Sequence, residues 1–430
     1  MESSKIESIV PLLEITHEKP GPPAAPITIA VVGAGQRGKG YAYYSIAHSK
    51  WLKVVAVAEP NDFRRKNMKE RYLIPDKNVF NDWRDLASRP KLCDAVIVAT
   101  LDNMHTEPAI AFANLGYHIL LEKPMAVTLE DCRLITEAVI QNEITFAVGH
   151  VLRYTPHNIL IKRIIESGIL GDIVNIQHME PVGFWHYAHS YVRGNWRNEK
   201  EACFSLMTKN ISSFGNLRHF RSSNKPKNAG DAKRCLDCAA EPSCPYSAKK
   251  IYLDRVKRGY SGWPMSVITD IEDIENVTKA LENGPYGRCV YECDNDVVDN
   301  QVVNMEFENG ATASIFGTLG ELECDGMDEI RYYDFLNNRR ETLTPSRLLK
   351  VLDLRGHGGG DFGLMESFTR EVALRGKRDD KNFTAKYVKS GALETFDSHL
   401  YVFAAEHARK TGKVVNIQEI KREFGVEDFS

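Results

Sequence analysis

From residue 27 the chain alternates short apolar runs with segments of helix length: "ITIAVV", a glycine-rich turn and a first helix, then "KVVAVAE", "CDAVIVAT", "YHILLEKP" and "TFAVGH", each followed or preceded by a further helix-length stretch. Runs that are apolar on both faces and separated by helices require a parallel sheet. Parallel strands must be joined by crossovers, and the crossovers lay helices over each face. The pattern therefore predicts an α/β fold that begins with a doubly wound parallel sheet over residues 27–150.

The first turn reads "GAGQRG" and places Gly33, Gly35 and Gly38, with Arg37 among them, between the first strand and the first helix. The first glycine suits a tight turn, the second a close approach of backbone to a pyrophosphate, and the third the packing of helix on strand. Glu59 closes the second strand 21 positions after Gly38, where a carboxylate accepts both hydroxyls of a ribose. Together these residues predict a Rossmann dinucleotide site. Glu59 repels a 2′-phosphate and favours NAD; Arg64 and Arg65 follow within two helical turns and leave NADP open, although a solvated helix face is their simpler reading.

A chain of 430 residues exceeds one compact core, so two main domains are expected. Residues 1–26 mix charges with a Pro/Gly run and read as a flexible tail without the apolar core of a signal peptide. No run reaches the roughly 18 apolar residues of a membrane span, so no membrane partner is expected. The nine cysteines, without an export signal, read as reduced thiols, and the cytoplasm is the expected compartment. The net charge of −3 and pI near 6.5 give no footprint for nucleic acid, and acidic residues interrupt the basic stretch 225–258.

"LLEKPMAV" ends the fifth strand, and with "VATLDNMH" and the glycine-rich turn it resembles the glucose–fructose oxidoreductase / inositol dehydrogenase / MocA (Gfo/Idh/MocA) family. "GHVLRYTPH", "VGFWHYAHSYVRGNWRNE", "RCVYECDNDVVDNQVVNMEF" and "HGGGDFGLM" extend the resemblance to all but the two tails, in a branch of streptomycin-biosynthesis type. It implies that Lys123 lies beside the nicotinamide and the substrate hydroxyl and handles its proton. It also implies that Thr100 and His105 line the cofactor crevice and that Glu122 meets the nicotinamide ribose. His105 equally suits a helix start.

After "PHNILIKRIIESG" the chain turns strand-like in "DIVNIQHMEPVGFW", "QVVNMEFENGATASIFGTLG" and "EIRYYDFLNN". Alternation with polar positions predicts an α+β domain over 151–390 with an open, mainly antiparallel sheet, followed by a C-terminal helix and tail over 391–430. An open sheet face predicts a homo-oligomer. Relatives follow "GNWRNE" with a helix of the form A-K-x-x-H-D-x-D. Here only Lys209 of that helix is present before "NISSFG", and the 13 residues between Arg197 and Ile211 are too few for a multi-turn helix with two connections. Lys209 is thus either a catalytic residue or, without its helix, a solvated lysine.

Arg153, His186, His189, Tyr191, Arg193, Trp196 and Arg197 suit recognition of a polyhydroxylated ring, with a structural, aromatic-packed segment as the alternative for "WHYAHSYVRGNWR". His357 and Asp361 flank three glycines ahead of a helix, as substrate contacts or as a simple cap. Cys235, Cys238 and Cys244 are spaced C-x2-C-x5-C, a zinc spacing without its usual second half, with Cys289 and Cys293 as distant fourth ligands and a reduced-thiol loop as the alternative. The reading that follows is an NAD-dependent oxidoreductase moving a hydride between nicotinamide and a hydroxyl-bearing carbon of a sugar or cyclitol. Its alternatives are a cofactor-binding pseudoenzyme, or defective isoform, without the proton-relay helix, and a redox-neutral NAD-dependent glycosidase.

Overall fold

The apolar runs of the first half form one six-stranded sheet. In the computed structural model, which describes residues 8–13, 21–177, 182–199, 210–306, 312–313, 315–326, 328–351, 354–375, 385–423 and 425–426, the strands are β1 (Ile27–Val32), β2 (Leu52–Ala58), β3 (Val79–Phe80), β4 (Ala95–Val98), β5 (His118–Leu121) and β6 (Phe146–Val148). They lie in the order β3-β2-β1-β4-β5-β6, with every neighbouring pair parallel. Helices α1 (Gln36–Ala47), α2 (Asp62–Tyr72), α3 (Trp83–Ala87), α4 (Thr106–Asn114) and α5 (Leu129–Gln141) make the connections.

Successive side chains of a strand point to opposite faces, so each run of four buried residues feeds two cores. Ile29, Val31, Ile97 and Leu120 join one core; Val32, Val96, Val98 and Ile119 join the other. The helix termini differ in a way that matters for the site. Asn61 caps α2 by accepting from Arg64 N (3.0 Å), and Thr128 caps α5 by accepting from Asp131 N (3.1 Å). At α1 the N-cap is Gly35, which has no side chain to satisfy the first amides.

The second half supplies α6 (Pro156–Glu166), β7 (Ile173–Ile176), α7 (Phe184–Tyr187), β8 (Asn210–Asn216), α8 (Asp254–Lys257), α9 (Met265–Ile268) and α10 (Ile274–Asn283). The strands β9 (Asn300–Glu306), β10 (Thr312–Ala313), β11 (Phe316–Gly317), β12 (Gly320–Cys324), β13 (Ile330–Asp334) and β14 (Arg339–Leu343) follow. The chain closes with α11 (Pro345–Leu348), α12 (Gly360–Arg375), α13 (Ala392–Thr411), β15 (Val415–Asn416) and α14 (Ile417–Glu423). Where one open sheet was expected there are two. One runs β10-β7-β11-β12-β13-β14 and is antiparallel apart from its β10–β7 edge; the other is the antiparallel trio β15-β8-β9. The C-terminal helices return to the first sheet: Leu364, Met365 and Phe368 of α12 cover one face, Phe396 and Leu400 of α13 the other.

The strand expected to run through "VGFW" is corrected: β7 ends at Ile176, and Phe184–Tyr187 is helical, continuing as a π-helical turn over Ala188–Arg193. The reason is burial. Trp185, His189 and Arg193, four residues apart, fall on one side and pack against residues 217–299, which form an insertion between the paired strands β8 and β9.

Four histidines are held neutral by burial. His118 and His399 lie at about 4, His150 and His189 at about 3, each with burial as the largest cause. His118 Nδ1 accepts from Thr145 N (3.0 Å) and His399 Nε2 from Met125 N (2.9 Å), acceptor roles that protonation removes. An unfolded chain binds these protons below about 6.5 and the folded chain only near 3 to 4, so acid favours unfolding across that interval. Stability is therefore fully present above pH 6.5 and falls as pH drops toward 4, by up to about 1.4 kcal/mol per pH unit for each histidine. Thermal melts from pH 7.5 to 4.5 check this; a flat midpoint contradicts it.

Candidate active site

The turn after β1 is shaped around something outside the chain. A Cβ on Gly38 would overlap the Gly33 carbonyl oxygen, and Gly33, at φ +87°, lies against Ala99, so both are fixed by packing. A Cβ on Gly35 would meet nothing within 4 Å. That open face, together with the uncapped amides of α1, fits the pyrophosphate of a dinucleotide. Glu59 sits beside it at the end of β2, buried, its Oε2 accepting from Ala34 N (2.6 Å) and its Oε1 from Asn61 N (2.9 Å).

Arg64 and Arg65, the residues that left NADP open, are both engaged. Arg64 Nε pairs with Asp270 Oδ1 (2.9 Å), and Arg65 bonds Asp62 and the carbonyls of Glu59 and Pro60. Asp270 belongs to the insertion, whose Ser266 carbonyl also accepts from Gln36 Nε2 (2.9 Å), so this segment leans on the cofactor end of the sheet. An added acidic group beside Glu59 opposes a 2′-phosphate. Asp270→Ala frees Arg64 and is expected to raise affinity for NADP+ relative to NAD+ by about tenfold, on the order of 1.4 kcal/mol, in paired titrations; an unchanged ratio contradicts it.

The C-terminal ends of β4, β5 and β6 converge on Lys123. Its Nζ stands 4.1 Å from the ring centroid of Trp196, whose Nε1 donates to Asp102 Oδ2 (3.0 Å). Burial raises the Asp102 carboxyl, while His105 and Lys123 pull it the other way. His150, at the exit of β6, is held neutral by burial, with His399, Arg153 and Lys123 adding to the shift, and its Nδ1 has no hydrogen-bond partner. An ammonium, an indole and a neutral imidazole thus border one crevice, a set able to bind and orient a hydroxyl and exchange its proton.

Below this surface lies a network. Arg37 bonds Glu122, Tyr41 (2.7 Å) and both oxygens of Asp361 (2.9 and 3.1 Å), and Glu122 also accepts from Tyr41 Oη (3.0 Å) and from Lys123 N. His357 Nδ1 lies 3.0 Å from Asp361. Burial pushes Asp361 upward, but the His357 and Arg37 hydrogen bonds hold it at about 2. The carboxylates of Glu122 and Asp361 are therefore engaged within the protein, and Asp361 is not a simple helix cap: its carboxylate joins α12 to the glycine-rich turn. His105 is wholly buried, its Nδ1 2.7 Å from the Pro124 carbonyl, so it braces the Lys123 turn from beneath while also preceding α4. Thr100 Oγ1 donates to Met104 O (3.2 Å).

Several expected substrate contacts are placed elsewhere. His189 and Arg193 are buried against Tyr252, Tyr286 and Arg288 of the insertion, His186 packs on Trp263, and Arg197 binds Asp294. Arg153 donates to Lys389 O (2.8 Å). Tyr191 stacks between Tyr187 and Trp196, and Trp196 is the member of its group that meets Lys123. Lys209 lies outside the described residues. Among the described residues no three His, Cys, Asp or Glu side chains stand in position to hold a metal ion. Sequence reading missed His399, Asp102, His150, Tyr41 and Asp270. The first of these reaches the Lys123 turn from α13 with no local motif to announce it.

Residues 27–150 match the family described as "Oxidoreductase family, NAD-binding Rossmann fold" (GFO_IDH_MocA). Levoglucosan dehydrogenase of Pseudarthrobacter phenanthrenivorans is 31% identical over 160 residues, 35% of this chain and 40% of that protein. Inositol 2-dehydrogenase of Salmonella typhimurium is 30% identical over 143 residues, 33% and 42% respectively. The match spans less than half the length of these curated relatives. A levoglucosan dehydrogenase solved with NADH and levoglucosan shares the fold at a TM-score of 0.58 and 17% identity, covering 91% of this chain and 99% of that one.

Proposed function

We propose that this chain, whose residues 27–150 match the NAD-binding Rossmann domain of the Gfo/Idh/MocA oxidoreductase family, is a member of that family and moves a hydride between NAD and a hydroxyl-bearing carbon of a sugar or cyclitol. The observation that carries the reading is Lys123: an amine just past the C-terminal end of the parallel strand β5, beside Trp196, where open sheets of this type bind ligands. Residues 27–150 hold the cofactor and 151–390 shape the substrate side, closed by the helix and tail of 391–430. Gly35 and the α1 amides receive the pyrophosphate, and Glu59 receives the ribose. NAD supplies the hydride acceptor. Lys123 orients the reacting hydroxyl and exchanges its proton, with neutral His150 next to it, and Trp196 and Tyr191 give the apolar and aromatic wall that a ring's C–H face prefers.

The relatives' names, levoglucosan and inositol dehydrogenases, set the substrate class. Phe214 and Val302, directly paired across β8 and β9 and both more than 60% exposed, support a second copy of the chain over this sheet face. Among the described residues no helix is long and apolar enough to cross a membrane, and the cytoplasm is the proposed setting.

The test is NADH formation across a panel of sugars, anhydrosugars and cyclitols. Turnover with at least one supports the proposal. NAD binding without turnover on any member contradicts it, and release of an aglycone without NADH accumulation points to redox-neutral cleavage.

A further inference from the structure

The insertion of residues 217–299 has little apolar material of its own. Its cores are two small clusters around Tyr252 and Val277 and around Phe220 and Val290. Units of this size usually need a staple. Four thiols gather where those clusters meet. Cys235, Cys238, Cys244 and Cys289 line one small cavity of about 20 Å³, room for a single water-sized sphere.

The backbone explains the gathering. Arg234 and Arg288 form an antiparallel bridge, with Cys235 N donating to Gly287 O (2.9 Å) and Cys289 N to Lys233 O (2.8 Å), which brings two distant cysteines together. Cys238 N reaches back to Cys235 O (3.5 Å) in a tight turn, and Cys244 N donates to the carbonyls of Ala240 and Glu241 (both 3.1 Å). Cys293 is turned aside, its Sγ donating to Cys289 O (3.3 Å).

The same cavity is lined by Arg193, which is 0% exposed. Its Nε donates to Arg288 O (2.8 Å) and its Nη2 to Tyr246 O (2.9 Å), with Cys235 Sγ at 3.4 Å. Its Nη1 is buried and has no hydrogen-bond partner. Among the described residues no carboxylate pairs with it. A buried guanidinium needs a counter-charge, and neutral thiols do not give one.

We propose that Cys235, Cys238, Cys244 and Cys289 bind one Zn²⁺ as thiolates, with Arg193 balancing the charge of the site. Each thiol releases one proton to solvent on binding, so the four thiolates and the ion carry a net charge of −2, which the guanidinium partly offsets. The sulfurs do not already stand at ligand positions, so loading turns the cysteine side chains inward about their Cα–Cβ bonds. The inference stands apart from the oxidoreductase reading, since it needs neither cofactor nor substrate.

The test uses the full chain produced in zinc-supplemented medium. Elemental analysis after dialysis is expected to find one zinc per chain, and Cys238→Ser and Cys289→Ser are each expected to retain less than about a tenth of it, while Cys93→Ser, buried in the first domain, retains it all. Should the two serine variants fail to fold, cobalt substitution of the unaltered chain decides: tetrahedral thiolate bands support the site. Zinc-free protein with four reactive thiols, a disulfide among these cysteines on peptide mapping, or an iron–sulfur spectrum overturns it.

Discussion

Lys123→Met lowers kcat for the best sugar or cyclitol substrate by about 10² to 10⁴, the usual contribution of a positioned acid/base group. Methionine keeps the length and apolar stem of the side chain and removes the ammonium that stands 4.1 Å over Trp196. The Lys123 backbone N–H still bonds Glu122, so the turn and the cofactor cradle are retained. Affinity for NAD is therefore expected within about threefold of the unaltered chain, a difference of under 1 kcal/mol. Pre-steady-state mixing separates the two quantities. If the variant turns over at the parent rate, the amine is a bystander and the proton leaves by another route. If NAD affinity collapses with it, Lys123 is part of the cradle and not of the chemistry.

Arg37→Met is expected to cost about 3 kcal/mol of stability, because it strips the counter-charge from two carboxylates at once. The side chain of Glu122 is 7% exposed and that of Asp361 16%, and neither has another arginine or lysine side chain among its described partners. His357 remains beside Asp361, and Tyr41 beside Glu122, which limits the loss. A fall of several degrees in thermal midpoint follows. Lys162→Ala is the control: its pair with Glu166 is exposed on both sides and is worth under about 0.5 kcal/mol. Equal midpoints for the two variants would show that the network stores little energy.

The legibility of this chain in its sequence follows the range of its contacts. The parallel sheet was readable because each strand declares its burial on both faces within a few residues, as "ITIAVV" and "AVIV" do. The three glycines were readable because their roles are set by neighbours in the same turn. The network around Lys123 was not. Arg37 meets Asp361 across 324 positions, Met125 meets His399 across 274, and Arg64 meets Asp270 across 206, and no local pattern encodes such pairs.

"WHYAHSYVRGNWR" gives the clearest case of misdirection. Its composition suits a sugar, yet the helical turn sends His189 and Arg193 into the insertion and leaves Trp196 to face Lys123. Composition supplied the chemistry and not the direction, which only the backbone period and the packing partner decide.

Calorimetric titration of the full chain with NAD+, alongside its Gly35→Asp variant, bears most directly on the account. A Cβ at position 35 meets nothing within 4 Å, so the variant should fold and melt as the parent does, while its carboxylate occupies the space a pyrophosphate needs. One-to-one binding to the parent, weakened at least about tenfold in the variant, is the expected result. Folded parent protein that gives no heat with NAD+, or a variant that binds it equally well, would contradict the assignment of this turn to the cofactor.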